Sequence, residues 1–277
     1  MAKITAAEVN KLRKQTGAGM MDCKKALVEA EGNFESAIDI LRKKGQKVAA
    51  KRADREVSEG MVVAGTNANA TSGFIMSLNC ETDFVAKNEG FTSLVNEIFD
   101  IAVAGNATSI DALMAMDING MSISEKLTEQ TGVIGEKLEV SYFEKVDAAF
   151  VGSYIHAGSR LATLVGLTAA PSNANELAKD VAMQVAAMNP VALNKDSIPQ
   201  DVIDRELEVG KELARQEGKP EAMLDKIAMG RLNKFFKEST LMAQSFIKDG
   251  KVSVADYLNS AEKGLTVTEF KRFGLSN

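Results

Sequence analysis

The spacing of the apolar residues changes near residue 56, and this change most restricts the fold. In residues 4–55, apolar side chains recur every three or four positions, which is typical of short helices packed on a common core. Beyond residue 56, the runs EGMVVAGT and FIMSLNC flank the polar break NANATSG, a pattern that predicts two strands joined by a hairpin. The sequence therefore predicts a helical N-terminal domain followed by a body of strands and helices.

The N-terminal residues contain signals that begin and end helices. Thr5 and Glu8 have the spacing of a capping box, in which each side chain bonds the other residue's backbone amide. Gly17 and Gly45 are expected to end the first and third helices, since glycine commonly terminates a helix. We therefore predict that residues 1–55 form a small domain of three helices.

The body repeats one order of elements. Residues 148–190 are predicted to form strand, hairpin, strand and helix, the same order as the segment that starts at residue 56, although few residues are identical. This order is typical of the α+β class, in which helices pack against an antiparallel sheet. We predict two related halves, residues 56–147 and residues 148–277.

The second half carries an insertion at about residues 199–237. Two helical segments, SIPQDVIDRELEVGKELARQE and EAMLDKIAMGRLNKFFKEST, are joined by GKP. Gly218 can end the first helix and Pro220 can begin the second, as glycine and proline commonly do. The apolar positions of the two segments can face each other, which predicts an antiparallel helical hairpin.

Charge is divided unevenly along the chain. Residues 1–55 hold 13 basic and 7 acidic side chains, whereas residues 56–277 hold 20 basic and 31 acidic ones. A basic head is suited to nucleic acid or to an acidic protein surface. The acidic body and the scarcity of aromatic residues disfavour base stacking, so direct contact with nucleic acid is not expected. A ribosome- or RNA-associated adaptor remains the alternative function.

Few residues could perform covalent chemistry. The single histidine, His156, lies in the predicted turn YIHAGSR, where a solvated histidine is the simpler interpretation. Cys23 and Cys80 form no CxxC motif, so neither a zinc site nor a disulfide framework is supported. The segment TGVIGEKL lacks the GK[ST] of a phosphate loop and is better explained as a turn before a strand. We expect no enzyme, no metal site and no cofactor.

Nothing in the sequence predicts a membrane partner. The opening residues MAKITAAEVNKLRK contain no apolar segment typical of a signal peptide. No apolar run approaches the ~18 residues that a membrane span requires. We therefore expect a cytoplasmic protein, which also fits the low cysteine content.

The segment NCETDFVAKNEGF lies where a predicted strand ends and a helix begins. Thr82 or Asp83 can cap that helix by accepting hydrogen bonds from its first amides. Phe84 belongs either to the core or to an exposed surface that contacts a partner. Residue type alone favours the core for Phe84.

Two adjacent methionines follow the first glycine turn. Met20 and Met21 cannot both face the core of one helix, because successive residues point in different directions. Met21 can pack inward, and we expect one of the two to be exposed as a contact residue.

Three stretches, in the order ITAAEVNKLRKQTGAGMMDCKKAL, NCETDFVAKNEGF and GSYIHAGSRLATLV, resemble bacterial elongation factor Ts. The first two are long and specific, and the resemblance covers nearly the whole chain. It implies a guanine-nucleotide exchange factor for elongation factor Tu. Such a factor binds the GDP form, disturbs its magnesium and phosphate site, and promotes GDP release so that GTP can bind during translation.

The resemblance also implies roles for individual residues. It implies that the N-terminal domain is UBA-like, that it docks on the partner's GTPase domain, and that the helical hairpin is a coiled coil. The resemblance implies that the TDFV motif displaces magnesium and that its aromatic ring enters between helices of the partner. It therefore favours an exposed position for Phe84 over a place in the core. This motif comprises Thr82, Asp83, Phe84 and Val85. The other implied partner contacts are Arg13, Met20, Met21, Ile134, Gly135, His156, Phe246 and Ile247. Lys248 departs from an apolar family position.

Overall fold

The computed structural model describes residues 4–275, which combine α-helices with antiparallel sheets. The predicted α+β class is therefore confirmed. The chain forms two compact units. The first contains residues 4–63, 76–144 and 275, and the second contains residues 64–75 and 145–274. The domain boundaries predicted from the sequence stay predictions.

The first unit begins with three helices and continues with a sheet and further helices. Its helices are α1 (Ala6–Thr16), α2 (Met20–Glu29), α3 (Phe34–Lys51), α4 (Asp83–Ala86), α5 (Glu89–Ala104), α6 (Ile110–Met114) and α7 (Ile123–Ile134). Its strands are β1 (Glu59–Thr66), β2 (Ser72–Cys80), β3 (Asp117–Ile118), β4 (Met121–Ser122) and β5 (Glu139–Asp147). Strands β1, β2 and β5 form one sheet in the order β1-β2-β5, and their residues 64–66, 72–75 and 145–147 belong to the second unit.

Helices α1, α2 and α3 enclose a small apolar core of their own. Leu12, Cys23 and Leu27 are fully buried in it. The predicted capping box is present, since the Glu8 amide donates to Thr5 Oγ1 at 3.3 Å and the Thr5 amide donates to the Glu8 carboxylate at 2.7 Å. The three predicted helices are confirmed.

The predicted end of the third helix at Gly45 is wrong. Helix α3 continues through this glycine to Lys51. Gly45 lies against Gly132 of α7, where a side chain on Gly132 would collide with the Gly45 backbone. Gly132 therefore permits a close crossing of α3 and α7 at Gly45, and Gly45 does not terminate α3.

The second unit repeats the strand, hairpin, strand and helix order, as predicted. Its helices are α8 (Ala174–Met188), α9 (Gln200–Gln216), α10 (Leu224–Ser239) and α11 (Val254–Ala261). Its strands are β6 (Phe150–Ile155), β7 (Leu161–Leu167), β8 (Ser245–Phe246), β9 (Asp249–Ser253) and β10 (Val267–Gly274). Strand β7 lies between β6 and β10 and pairs antiparallel with both, while α8 packs on β6 and β7. The buried core of this unit lies between the sheet and the helices α8 and α11.

Helices α9 and α10 lie side by side in the predicted insertion. Gly218 adopts a positive φ of 72° after α9, and Pro220 precedes a single 3-10 turn that leads into α10. Gly210 of α9 faces Ala228 of α10, and Arg231 pairs with Glu217 at 2.7 Å. The two predicted helices and their glycine–proline connection are confirmed.

Candidate functional site

The segment after β2 presents an aromatic side chain to solvent. Thr82 caps α4, accepting a 3.4 Å hydrogen bond from the Val85 amide, so the predicted helix cap is confirmed and is Thr82. The Phe84 side chain is 84% exposed, while Asp83 and Val85 are half-buried. The core interpretation of Phe84 is therefore wrong. An exposed phenylalanine on an ordered helix is a candidate contact residue, since aromatic residues dominate the energetics of protein interfaces.

The start of this segment is bound by a carboxylate from another part of the first unit. Glu136 follows the turn after α7, and its Oε2 accepts hydrogen bonds from the amides of Glu81 at 3.1 Å and Thr82 at 3.0 Å. Its Oε1 accepts the Thr82 hydroxyl at 2.7 Å. Three hydrogen bonds to one charged group fix the backbone from which α4 starts.

Glu81 makes the converse contact. Its carboxylate accepts the Lys137 amide at 2.7 Å and Nη1 of Arg52 at 2.7 and 2.8 Å. Burial raises the pKa of Glu81, but the Lys137 amide and Arg52 outweigh it, leaving the pKa below its ordinary value. Glu81 is therefore a structural carboxylate that stays ionised at neutral pH.

Asp83 lies at the solvent side of α4. Its carboxylate pairs with Lys87, one helical turn later, at 2.6 Å. The hydrogen bond and charge of Lys87 lower the pKa of Asp83 below its ordinary value. This pair is exposed, so it stabilises α4 only slightly and leaves the carboxylate accessible to a partner.

The turn after α7 lies beside this segment. Gly135 ends α7 with a φ of 83°, and β5 begins four residues later. The predicted turn before a strand is therefore confirmed for residues 135–138, whereas residues 131–134 are the end of α7. Ile134 is half-buried. Because the neighbouring Glu136 bonds Thr82, the structure brings the predicted contact residues Ile134 and Gly135 close to the TDFV motif.

Both methionines of α2 are exposed. Met20 is 53% exposed and Met21 is 61% exposed, so Met21 does not pack inward and both methionines reach the surface, not one alone. The inward face of α2 is formed instead by residues at helical spacing, namely Cys23, Ala26 and Leu27. Arg13 on α1 is also exposed. These helices therefore present apolar and basic side chains at their surface.

In the second unit, His156 lies in the β6–β7 turn, as predicted. Its backbone amide donates to the Leu161 carbonyl at 2.8 Å, which closes the hairpin. The ring is exposed, and Nδ1 lies 3.0 Å from the Tyr154 hydroxyl. This single contact orients the ring and provides no carboxylate that would organise it as a catalytic base.

Phe246 and Ile247 occupy different environments in the second unit. Phe246 is 3% exposed and stacks on Tyr257 with ring centroids 4.0 Å apart, whereas Ile247 is 42% exposed. The ring of Phe246 therefore belongs to the core, and Ile247 is the residue whose side chain reaches solvent. The amide of Ile247 donates to the buried Gln184 Oε1 at 2.8 Å.

The departure at Lys248 has a local explanation. Lys248 Nζ pairs with the carboxylate of Asp180 at 2.6 Å, and the Tyr257 hydroxyl donates to the same carboxylate at 3.0 Å. Asp180 is almost fully buried on α8. Lysine at position 248 therefore supplies the charge partner that a buried carboxylate requires.

The described residues neither cluster metal-binding side chains nor expose a cysteine thiol. Among residues 4–275 there is no group of three or more histidine, cysteine, aspartate or glutamate side chains that could hold a metal ion. Cys23 and Cys80 are buried, and burial raises the pKa of the Cys80 thiol to about 12, which disfavours the nucleophilic thiolate. No helix in the same range is both long enough and apolar enough to cross a membrane.

Sequence reasoning missed the residues that hold the exposed segments. Glu136 contacts Thr82, Arg52 contacts the preceding Glu81, and Gln184 contacts Ile247, but none of the three stands in a recognisable motif. Glu136 and Thr82 are 54 positions apart, so no local pattern connects them. Only the proximity of Glu136 to the predicted contact residue Gly135 could have drawn attention to it.

Comparisons with known proteins agree closely with one another. A family model described as Elongation factor TS matches residues 81–277. The Elongation factor Ts of Christiangramia forsetii is 59% identical over 275 residues, which covers 99% of this chain and 100% of the relative. That of Flavobacterium psychrophilum is 54% identical with the same coverage. That of Amoebophilus asiaticus is 51% identical over 270 residues, covering 97% of this chain and 98% of the relative.

Proposed function

The chain belongs to the elongation factor Ts family, a family of translation elongation factors, and from this premise we propose that it is a guanine-nucleotide exchange factor. It binds elongation factor Tu in the GDP form and accelerates release of GDP so that GTP can bind. The observation that carries this proposal is the exposure of Phe84 on an ordered segment. An exposed aromatic side chain held in place is suited to insertion between elements of a partner, because little conformational freedom is lost on binding.

The TDFV motif acts on the magnesium and phosphate site of the partner. Mg²⁺ bridges nucleotide phosphates and neutralises their charge, so displacing the groups that position the ion weakens GDP binding. Phe84 enters between helices of the GTPase domain, and Val85 extends the apolar contact. Asp83 places a carboxylate near the magnesium site, while Thr82 holds the start of α4.

Exchange of this kind is a coupling between two binding events. If the factor weakens GDP binding by a given ratio, GDP weakens factor binding by the same ratio. No bond is made or broken on the factor itself. The protein therefore acts without a catalytic residue, a cofactor or a metal ion of its own.

Helices α1 to α3 dock on the GTPase domain as a UBA-like module. Exposed Met20 and Met21 supply the apolar contact, and Arg13 supplies a charge that can pair with an acidic group. Methionine suits such a surface because its unbranched chain adapts to the partner. Ile134 and Gly135 contact the partner next to the TDFV motif.

The second unit contributes further contacts. His156 presents its ring at an exposed hairpin turn and helps to displace the phosphate-binding loop of the partner. Ile247 contacts the partner directly, whereas Phe246 supports it from the core. Helices α9 and α10 form a coiled coil. We place the protein in the cytoplasm, where elongation factor Tu acts.

The test is the release of labelled GDP from purified elongation factor Tu in excess unlabelled GDP. We expect the release rate to rise with added protein and to reach a plateau. A rate that does not change at micromolar concentrations of the protein would contradict the proposal. Salt-sensitive binding to ribosomal RNA by the same preparation would then favour the alternative of an RNA-associated adaptor.

A further inference from the structure

Two glutamates in the first unit hold each other's backbone. The carboxylate of each accepts a hydrogen bond from a backbone amide at or next to the other glutamate. Glu136 accepts the amides of Glu81 and Thr82, and Glu81 accepts the amide of Lys137. We call this pair of carboxylates, Glu81 and Glu136, the reciprocal latch. It joins the start of the TDFV segment to the turn that follows α7. Both side chains are only partly accessible to solvent.

The latch is tied to two longer helices. Arg52, directly after α3, binds both oxygens of Glu81, and Glu136 lies two residues beyond the end of α7. Helices α3 and α7 are themselves in backbone contact at Gly45 and Gly132. The base of the TDFV segment is therefore held by elements much longer than the segment itself.

Phe84 depends on such support. Helix α4 has four residues, all at least partly exposed, whereas isolated helices shorter than about 12 residues are marginal in water. Contacts of the Phe84 ring do not fix its direction, because the side chain is 84% exposed. The hydrogen bonds at residues 81 and 82 are the polar contacts that orient the segment from outside.

We infer that Glu81 and Glu136 are positioning residues for Phe84, an inference that rests on the proposed exchange function. They hold the ring in the direction in which it enters the partner, without touching the partner's nucleotide. When the latch is lost, the methionines of α2 still bind the partner. Phe84 then disturbs the partner's nucleotide site less effectively. Such a change lowers the maximal rate of GDP release more than it raises the concentration needed for half of that rate.

The first experiment compares Glu136→Ala with the wild-type protein in GDP release from elongation factor Tu. We expect the maximal release rate to fall about tenfold or more, within the roughly 100-fold that a misplaced group can cost. The half-saturating concentration is expected to change by less than about threefold. Glu136→Gln is expected to restore most of the rate. Its amide oxygen can accept both backbone amides, and its NH₂ can donate to the Thr82 hydroxyl.

Glu139→Ala is the matched control. Glu139 lies three residues beyond Glu136, and its carboxylate pairs with Lys137 at 2.6 Å, apart from the hydrogen bonds that hold residues 81 and 82. Its removal subtracts the same charge from a nearby position, the first residue of β5. We expect its release rate to match the wild-type rate, so that a loss in Glu136→Ala reports the hydrogen bonds and not the charge.

The second experiment places Glu136→Ala in a Phe84→Ala background. If the latch acts through Phe84, the second substitution adds less than about twofold to the loss, because interacting residues are not additive. If the loss of rate in the double variant equals the product of the two single losses, the inference is overturned. A wild-type release rate in Glu136→Ala would also overturn it. Circular dichroism shows whether each variant is folded. If Glu136→Ala is unfolded, Glu81→Ala takes its place, since it removes the other carboxylate of the latch and is expected to lower the maximal rate in the same way. If the wild-type protein does not accelerate GDP release from elongation factor Tu, the proposed function itself is contradicted, and the inference fails with it.

Discussion

A Cβ on Gly132 would lie well inside contact distance of the Gly45 Cα, so α3 and α7 cross with backbone against backbone. The reverse is not true. A Cβ on Gly45 would meet its nearest neighbour, the Thr128 carbonyl oxygen, at 3.5 Å, which is an ordinary van der Waals distance. The crossing of α3 and α7 therefore requires glycine at position 132 and tolerates a methyl group at position 45.

This asymmetry predicts opposite effects for two identical substitutions. Gly132→Ala is expected to destabilise the protein by about 1–3 kcal/mol, because the new methyl group must separate two helices. Gly45→Ala is expected to be neutral or to stabilise α3 by up to about 1 kcal/mol, since alanine favours the helix over glycine. Urea unfolding of both variants measures the difference. Equal losses at the two positions would show that the crossing is not as close as described.

Elements defined by local signals could be predicted from the sequence. Thr5 and Glu8 form their capping box within one turn of α1, and Gly218 and Pro220 separate α9 from α10. In each case the residues that determine the structure are neighbours in the chain. The strand and hairpin order was predictable for the same reason, because alternation of side chains is a local property.

The errors arise where a distant residue decides the outcome. Gly45 resembles a helix end in the sequence, but its partner Gly132 makes it a point of helix contact. Phe84 is apolar, and residue type favours burial, yet it is exposed. The Glu136 carboxylate that holds the TDFV segment comes from 54 positions away. Local sequence patterns do not reveal such contacts. The TDFV motif could therefore be recognised in the sequence, but the residue that holds it in place could not.

The methionines of α2 provide a second prediction. Met20→Ala combined with Met21→Ala is expected to weaken binding to elongation factor Tu by about tenfold or more, because exposed apolar residues at an interface centre can act as hot spots. Stability should change by no more than about 1 kcal/mol, since both side chains are exposed. Binding titration and thermal unfolding measure the two effects.

Val28→Ala is the control for this pair. Val28 is 50% exposed on the same helix, but the family resemblance assigns it no contact. It is expected to bind with wild-type affinity. Normal affinity in the double methionine variant would remove these residues from the docking surface.

The lowered pKa of Glu81 predicts a pH dependence of stability. A carboxyl group with a lower pKa in the folded state binds protons less readily than in the unfolded chain, so its contribution is complete above the ordinary value of 4.5. It is lost as the pH falls through the lowered folded value. The free energy of unfolding of the wild-type protein should therefore decrease more steeply below pH 4.5 than that of Glu81→Gln. Urea unfolding between pH 7 and pH 3 tests this, and parallel curves would contradict it.

Gln184 supports the segment that exposes Ile247. Its Oε1 accepts the Ile247 amide at 2.8 Å, and its Nε2 donates to the Ser245 carbonyl at 3.1 Å. Gln184→Met keeps the side-chain size but leaves these groups without partners, which is expected to cost about 1–3 kcal/mol of stability. Gln200→Met, at an exposed position of α9, should change stability by no more than about 0.5 kcal/mol. Similar unfolding midpoints for the two variants would show that the buried amide does not hold this segment.

Phe84 separates a structural from a functional role most sharply. Phe84→Ala is expected to change the free energy of unfolding by less than about 1 kcal/mol, because its ring makes few contacts in the unbound protein. The same substitution should strongly reduce the maximal rate of GDP release from elongation factor Tu, since the ring is used only in the complex. Asp83→Ala should act in the same direction but more weakly. Thermal unfolding and GDP release at saturating protein measure the two properties on the same samples.

Phe91→Ala is the matched control, since Phe91 lies seven residues later on α5 and is 1% exposed. Truncation of this buried ring is expected to cost about 3–5 kcal/mol of stability. The part of the sample that remains folded should release GDP at the wild-type rate, because Phe91 does not reach the surface. The two variants should thus show opposite patterns, one stable and inactive, the other unstable and active. A large loss of stability in Phe84→Ala with a normal release rate per folded molecule would mean that the ring supports the fold and does not act on the partner.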